Sequence, residues 1–323
     1  MAEKTYREAL REALREEMIR DDRVFIIGEE VGVWGGTYAV TRGLQQEFGA
    51  KRVIDTPIAE AAIVGTAVGA AMGGLRPVAE LMTINFALVA MDQIVNNAAK
   101  IHYMFGGQIT VPLVIRMPAG WGQLAATHSQ SFEAWFASIP GLVVVMPATP
   151  GDAKGLLKSA IRSVNPVIFI EHARLYGVRG DVPDGDYTLP NGKSEVKRGG
   201  HDITIVTYSR MVHVAMNAAR ELEKDGVDTE VIDLRTLRPI DMIPVYESVK
   251  RTHRALILEE DWVTCGMGAE IAARVSAEAF DDLDAPVQRL GQLEVPMPYA
   301  KNLEEMMFPG EKQVIDQIRK MIG

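Results

Sequence analysis

The residues with the most chemical potential sit in Asp55-Thr56-Pro57-Ile58-Ala59-Glu60, where an apolar, strand-like run gives way to an Ala/Gly-rich helical stretch. With Thr56 as N-cap and Pro57 as first helical residue, Glu60 falls one position beyond a capping-box glutamate and would cap poorly. A first-turn carboxylate still gains from the helix dipole, and residue chemistry alone favours that reading over a catalytic carboxyl. The histidines His102, His128, His172, His201, His213 and His253 show neither His-Glu-x-x-His spacing nor cysteine companions, and no Gly-x-Ser-x-Gly elbow is present. Zinc and serine-hydrolase chemistry therefore lose their support. Cys265 stands alone, and although a helix start would favour its thiolate, an isolated cysteine is more often structural. Gly192-Lys193-Ser194 has the end of a phosphate-binding loop but Tyr187 where its first glycine belongs, so it reads as a turn. Gly266-Met267-Gly268 follows a strand and opens a helix, yet Ile271 occupies the third glycine position of a dinucleotide fingerprint.

These residues need elements to hold them. Residues 5–20 carry Leu10, Ala13, Leu14 and Met18 on one face and charges on the other, an amphipathic helix. The runs 24–27, 111–115, 142–145 and 167–170 are rich in Val, Ile and Phe and alternate with helical patterns, which predicts an α/β fold with a mainly parallel sheet. Residues 61–75 read as a buried helix whose Gly65, Gly69 and Gly73 share a face. That face packs tightly within the domain or admits another backbone from a partner. Between 180 and 200 the chain is dense in Gly, Pro, Asp and Asn and marks a connection. The α/β alternation then restarts, with strands at 203–208, 229–234 and 255–258 and helices at 211–224, 241–250 and from about 268. The expected division is one domain over 1–185, a linker over 186–200 and a second domain over 201–323.

Composition limits the partners. The 323 residues are 47% hydrophobic and 24% charged, with 34 Lys+Arg against 43 Asp+Glu and a net charge of -9. This suits a two-domain globular chain and disfavours nucleic acid. A single cysteine forms no internal disulfide, and the start MAEKTYREAL lacks the apolar core of a secretory signal. No stretch reaches the roughly 20 apolar residues of a membrane span. A cytoplasmic location is expected.

A specific resemblance appears when the short motifs are taken together. Gly28-Glu29-Glu30-Val31-Gly32, Gly35-Gly36-Thr37-Tyr38, the 55–60 hexapeptide, Asn85-Phe86, Met91-Asp92-Gln93-Ile94, Met104-Phe105-Gly106-Gly107 and His128-Ser129-Gln130-Ser131 fall along the first domain. Asp152-Ala153-Lys154-Gly155-Leu156-Leu157 follows them, and Asp233-Leu234-Arg235-Thr236-Leu237-Arg238-Pro239 lies in the second. Their order and spacing resemble those of the beta subunits of thiamine-diphosphate-dependent 2-oxo acid dehydrogenases, over nearly the whole chain. The resemblance implies a transketolase-like pyrimidine-binding domain followed by a transketolase C-terminal domain.

It also implies site residues. Glu60 would be the carboxyl that bonds the cofactor's pyrimidine nitrogen, letting the cofactor's own imino group take up the thiazolium proton. That role asks for a dry site. Phe86 would pack on the pyrimidine and the backbone at Ile58 would accept from its amino group. His128 would stand near the reacting carbon and the incoming lipoyl group. The Gly-Asp-Gly segment that holds Mg²⁺ and the diphosphate in this family is missing, so the resemblance implies an alpha subunit that supplies it, in an α2β2 assembly with a lipoyl acyltransferase. Potassium on carbonyls at Leu113, Ala160, Ile161, Ser163 and Asn165 is a further implication, with Ser163 where aspartate is often found. Gly36-Thr37-Tyr38 and residues 55–58 lean towards pyruvate as substrate. Residues 102–107 and 169–172 have counterparts in acetoin enzymes, and a branched-chain 2-oxo acid is the other option. A scaffold subunit that has lost the chemistry is the reading of another class.

Overall fold

The computed structural model describes residues 1–323. The chain forms two compact units. The first comprises Met1–Gly120 and Trp135–Asn191, and the second comprises Trp121–Ala134 and Gly192–Gly323.

In the first unit, β1 (Ala2–Thr5) leads into α1 (Tyr6–Arg20) and β2 (Val24–Gly28). α2 (Leu44–Phe48), β3 (Val53–Asp55), α3 (Glu60–Met72) and β4 (Arg76–Glu80) follow. A 3-10 turn over Ile84–Ala90, a π-helical turn over Gln93–Ala98 and α4 (Ile101–Met104) then lead to β5 (Val114–Ala119). After α5 (Glu133–Ala137), which begins in the second unit's segment, come β6 (Val143–Val145), α6 (Pro150–Arg162), β7 (Val167–His172) and β8 (Arg179–Val182). Six of these strands lie side by side in the order β6-β7-β5-β4-β2-β3, all parallel, and β1 pairs antiparallel with β8.

Thr5 and Glu8 cap α1 reciprocally, and its buried face, including Tyr6, Leu10, Leu14 and Met18, packs against α6. Each large side chain fully buried there contributes about 1.5–3 kcal/mol. Glu17, buried on the same helix, is paired with Arg162 of α6 at 2.6 Å.

Two local expectations need correcting. β5 starts at Val114 rather than 111, because Pro112 has no N–H to give to a ladder. Thr56 and Pro57 do not open α3: its N-cap is Ala59 and its first residue is Glu60. The Thr56 N–H is already bonded to the Gly28 carbonyl at 3.0 Å, which keeps residues 56–59 running on from β3. The small-residue face of α3 divides in two. A Cβ at Gly65 would meet Gln93 at 3.2 Å, whereas one at Gly69 would enter open space.

The second unit contains β9 (Glu195–Arg198), β10 (Ile203–Thr207), α7 (Met211–Glu223), β11 (Thr229–Asp233) and a short strand β12 (Thr236–Arg238). α8 (Ile243–Thr252), β13 (Ala255–Trp262), α9 (Met267–Glu278), β14 (Gln288–Gln292), α10 (Lys301–Glu304) and α11 (Glu311–Ile322) complete it. Its sheet runs β14-β13-β10-β11-β9, parallel except for β9. β9 lies inside the stretch whose composition marks a linker. Its four residues are too few and too charged to show a strand pattern, and its ladder with β11 is what defines it. Trp121 enters this unit's core and stacks on Phe308, ring centroids 5.0 Å apart. Of Gly192-Lys193-Ser194, only Gly192, at φ +81°, lies in a turn, which it forms with Asn191.

Candidate active site

The carboxyl ends of β2 and β3 hold the first part of the site, the edge of a parallel sheet where α/β proteins place ligands. Asp55, last in β3, takes the Gly32 N–H on Oδ1 at 2.6 Å and the Val33 N–H on Oδ2 at 3.2 Å. Together with the Thr56–Gly28 bond, this ties the 28–32 loop to the 55–60 segment. The Thr41 hydroxyl donates to the Val31 carbonyl at 2.6 Å and the Gly36 N–H to the Glu30 carbonyl at 2.8 Å, folding the rest of the loop back on itself. Glycine is required at two points. A Cβ on Gly28 would lie 2.6 Å from the Glu80 carbonyl oxygen, and Gly36 has φ +78° with Glu80 Oε1 2.5 Å from where its Cβ would be.

Behind this edge, Arg116 of β5 is fully buried and ion-paired with both Glu80 of β4 and Glu171 of β7, while the Tyr176 hydroxyl donates to Glu171. Three adjacent strands are thereby pinned by one guanidinium.

Glu60 stands in the first turn of α3 and is only 6% exposed. Glu29 is buried nearby, and its carboxyl is held above the ordinary range, first by burial and then by the charges of Glu60 and Glu30. Sequence reasoning did not single out Glu29 as a site residue. The available signal was a Glu pair placed directly after a strand end. Phe86 lies half-buried on the 3-10 turn that packs on α3, so Glu60 and Phe86 share adjoining elements. Ile58 is 78% exposed.

His128 belongs to the other unit, in the 121–134 segment. It is half-buried, with its Nδ1 2.8 Å from the Thr127 hydroxyl. Thus Ile58, Glu60 and Phe86 gather in one unit and His128 is carried by the second.

Four of the five carbonyls expected to hold potassium have protein partners. Leu113 O accepts from the Val167 N–H at 2.8 Å and Ala160 O from the Ser163 N–H at 3.2 Å. Ile161 O and Ser163 O both accept from Arg76 Nη1, at 2.8 and 2.9 Å. The Asn165 N–H donates to the Ser163 hydroxyl at 3.0 Å. A guanidinium already faces two of the five carbonyls, which disfavours a second cation beside it. No group of three or more His, Cys, Asp or Glu side chains converges to hold a metal ion. At the start of α9, the Gly268 N–H is bonded to Glu259 at 2.8 Å, so a buried carboxyl occupies the position a dinucleotide phosphate would take. Cys265 is exposed and unpaired.

Residues 2–179 match the transketolase pyrimidine-binding domain and residues 192–314 the transketolase C-terminal domain. A solved structure described as a split-gene transketolase, inactive beta4 tetramer, superposes with a TM-score of 0.81 at 25% identity, covering 98% of this chain and 97% of that one. Fold and matched domains together define a transketolase-like protein. Among curated proteins, the pyruvate dehydrogenase E1 component subunit beta of Rickettsia bellii is 52% identical over 98% of both chains. That of Rhizobium meliloti is 52% identical over 99% of this chain and 70% of its own, and the mitochondrial protein of Drosophila melanogaster is 49% identical over 99% and 89%. The chain belongs to the family of pyruvate dehydrogenase E1 beta subunits. None of its helices is long and apolar enough to cross a membrane.

Proposed function

We propose that this chain, with an alpha subunit, carries out the thiamine-diphosphate-dependent oxidative decarboxylation of pyruvate and passes the acetyl group to the lipoyl group of a dihydrolipoyl acetyltransferase, as a cytoplasmic α2β2 assembly. The observation that carries the reading is buried Glu60 at the head of α3 beside buried Glu29, with Phe86 on the adjoining turn. These residues fit the cofactor's pyrimidine: a carboxyl in a dry setting, an aromatic face, and an exposed backbone turn at Ile58. Thiamine diphosphate, when bound, supplies the electron sink for the carbon that loses carbon dioxide.

Glu60 would hold the pyrimidine nitrogen through its carboxyl, and Glu29, whose neutral form is favoured by burial and then by the charges of Glu60 and Glu30, stands beside it. Phe86 orients the ring and excludes water. His128 gives a proton to the lipoyl sulfur as its bond breaks, a task suited to an imidazole near neutrality. Mg²⁺ and the diphosphate are assigned to the alpha subunit, since the Gly-Asp-Gly segment is not in this chain. Potassium has weaker support, because Arg76 already serves Ile161 and Ser163.

The substrate is tested by steady-state rates of the assembled enzyme on pyruvate, acetoin and 3-methyl-2-oxobutanoate. The kcat/KM for pyruvate should exceed the others by at least about tenfold, the usual scale for a pocket that discriminates by size and polarity. An equal or higher value for acetoin would reassign the substrate. No turnover of any of the three would leave a scaffold subunit.

A further inference from the structure

The 121–134 segment that carries His128 packs with the C-terminal unit, and its anchors differ along its length. At the start, Trp121 stacks on Phe308 and the Gln123 N–H donates to Glu304 at 2.7 Å. At the end, Glu133 Oε1 takes the Tyr208 hydroxyl at 3.1 Å, and the same hydroxyl lies 3.2 Å from Glu259 Oε2. All three side chains are buried, and Glu133 Oε2 and Glu259 Oε1 have no further partner.

Counting hydrogens decides the state of this trio. A phenol has one proton and can donate to one carboxyl only, so the second contact is a hydrogen bond only if that carboxyl is itself protonated and donates to the phenol oxygen. With both carboxyls ionised, one contact would be oxygen against oxygen in a buried place, at the cost of an unpaired buried charge. The proton belongs on Glu133. Glu259 Oε2 also receives the Gly268 N–H at the head of α9, which favours its charged form. The glycine is needed for this, since a Cβ on Gly268 would lie 2.3 Å from Glu259 Oε1.

We propose that Glu133 is a positioning residue: as a neutral acid bonded through Tyr208 to Glu259, it fixes the C-terminal end of the segment that presents His128. The consequence for acyl transfer rests on the functional reading above, while the lock itself rests on the geometry.

The surroundings agree. Burial, then Asp261, raises the Glu133 carboxyl well above its ordinary range. Burial, opposed by the Gly268 N–H, brings Glu259 to about 8, and burial brings Asp261 to about 7. Glu260 is neutralised by Arg210, Arg289 of β14 faces Glu259, and Glu294 adds negative charge near Asp261. The sign follows. A carboxyl raised in the folded state gives its full contribution below its unfolded value near 4.5 and loses it as pH rises through the folded value, so the lock weakens as Glu133 gives up its proton.

Hydrogen exchange of residues 121–134, followed by mass spectrometry on the chain assembled with its alpha subunit and corrected for intrinsic rates, tests the lock directly. It reads the segment whatever the substrate proves to be, so its failure is separate from failure of the functional reading. Across a series from pH 6 upward, wild type should exchange about tenfold faster at the alkaline end, where Glu133 has given up its proton, than at pH 6. Glu133→Gln, a permanent neutral donor, should stay slow at both and melt higher than wild type at the alkaline end only. Glu133→Ala should exchange fast at both. Wild-type protection that does not change with pH, or a glutamine variant as unprotected as the alanine one, would overturn the proposal.

Discussion

Replacing Glu60 by glutamine keeps the shape of the side chain and removes its exchangeable acid, which separates its two readings. A carboxyl that only meets the helix dipole is dispensable for turnover, whereas one that holds a proton on the pyrimidine is not. In the assembled enzyme, Glu60→Gln should leave cofactor binding within about tenfold and lower kcat by at least about two orders of magnitude, measured as carbon dioxide release. More than a tenth of wild-type turnover would return Glu60 to the dipole. At this scale the sequence is legible only in part. Glu60, Phe86 and His128 stand out through the motifs around them, since their residue types alone are ordinary. Glu29 escaped notice as a site residue because its significance lies in burial beside Glu60, a tertiary fact. The Thr56 cap failed for a similar reason: its N–H is taken by Gly28, a residue 28 positions earlier.

The elements were easier to read where burial leaves a pattern. β2 and β7 are fully buried, and α1 shows its apolar stripe at helical spacing, so both signals survive in the linear sequence. β1, β8, β9 and β14 are short, partly exposed and polar, and only their ladders define them. The glycine at the end of β2 shows how tightly the elements constrain the site. A Cβ on Gly28 meets a backbone carbonyl of β4, which cannot swing aside as a flexible side chain would. Gly28→Ala should destabilise the chain by about 1–3 kcal/mol, seen as a lower urea midpoint, and should loosen the Thr56 bond that leads into Glu60. An unchanged midpoint would show that β2 and β4 part without cost.

At the scale of the molecule, the two-domain organisation follows from length, the restart of α/β alternation and the Gly/Pro-rich stretch before it. The assignment of 121–134 to the C-terminal unit has no mark in composition, because Trp121, Gln123 and Glu133 are anchored by residues far along the chain. What the chain provides is a pyrimidine-binding domain and a histidine-bearing segment, and what it lacks is the Gly-Asp-Gly segment proposed to hold Mg²⁺ and the diphosphate. Completion of the site by an alpha subunit is therefore the central claim. It is tested by calorimetric titration of thiamine diphosphate with Mg²⁺ into the purified chain alone and into the chain with its alpha subunit. Saturable binding should appear only in the second titration, and micromolar Mg²⁺-dependent binding to the chain alone would contradict the account.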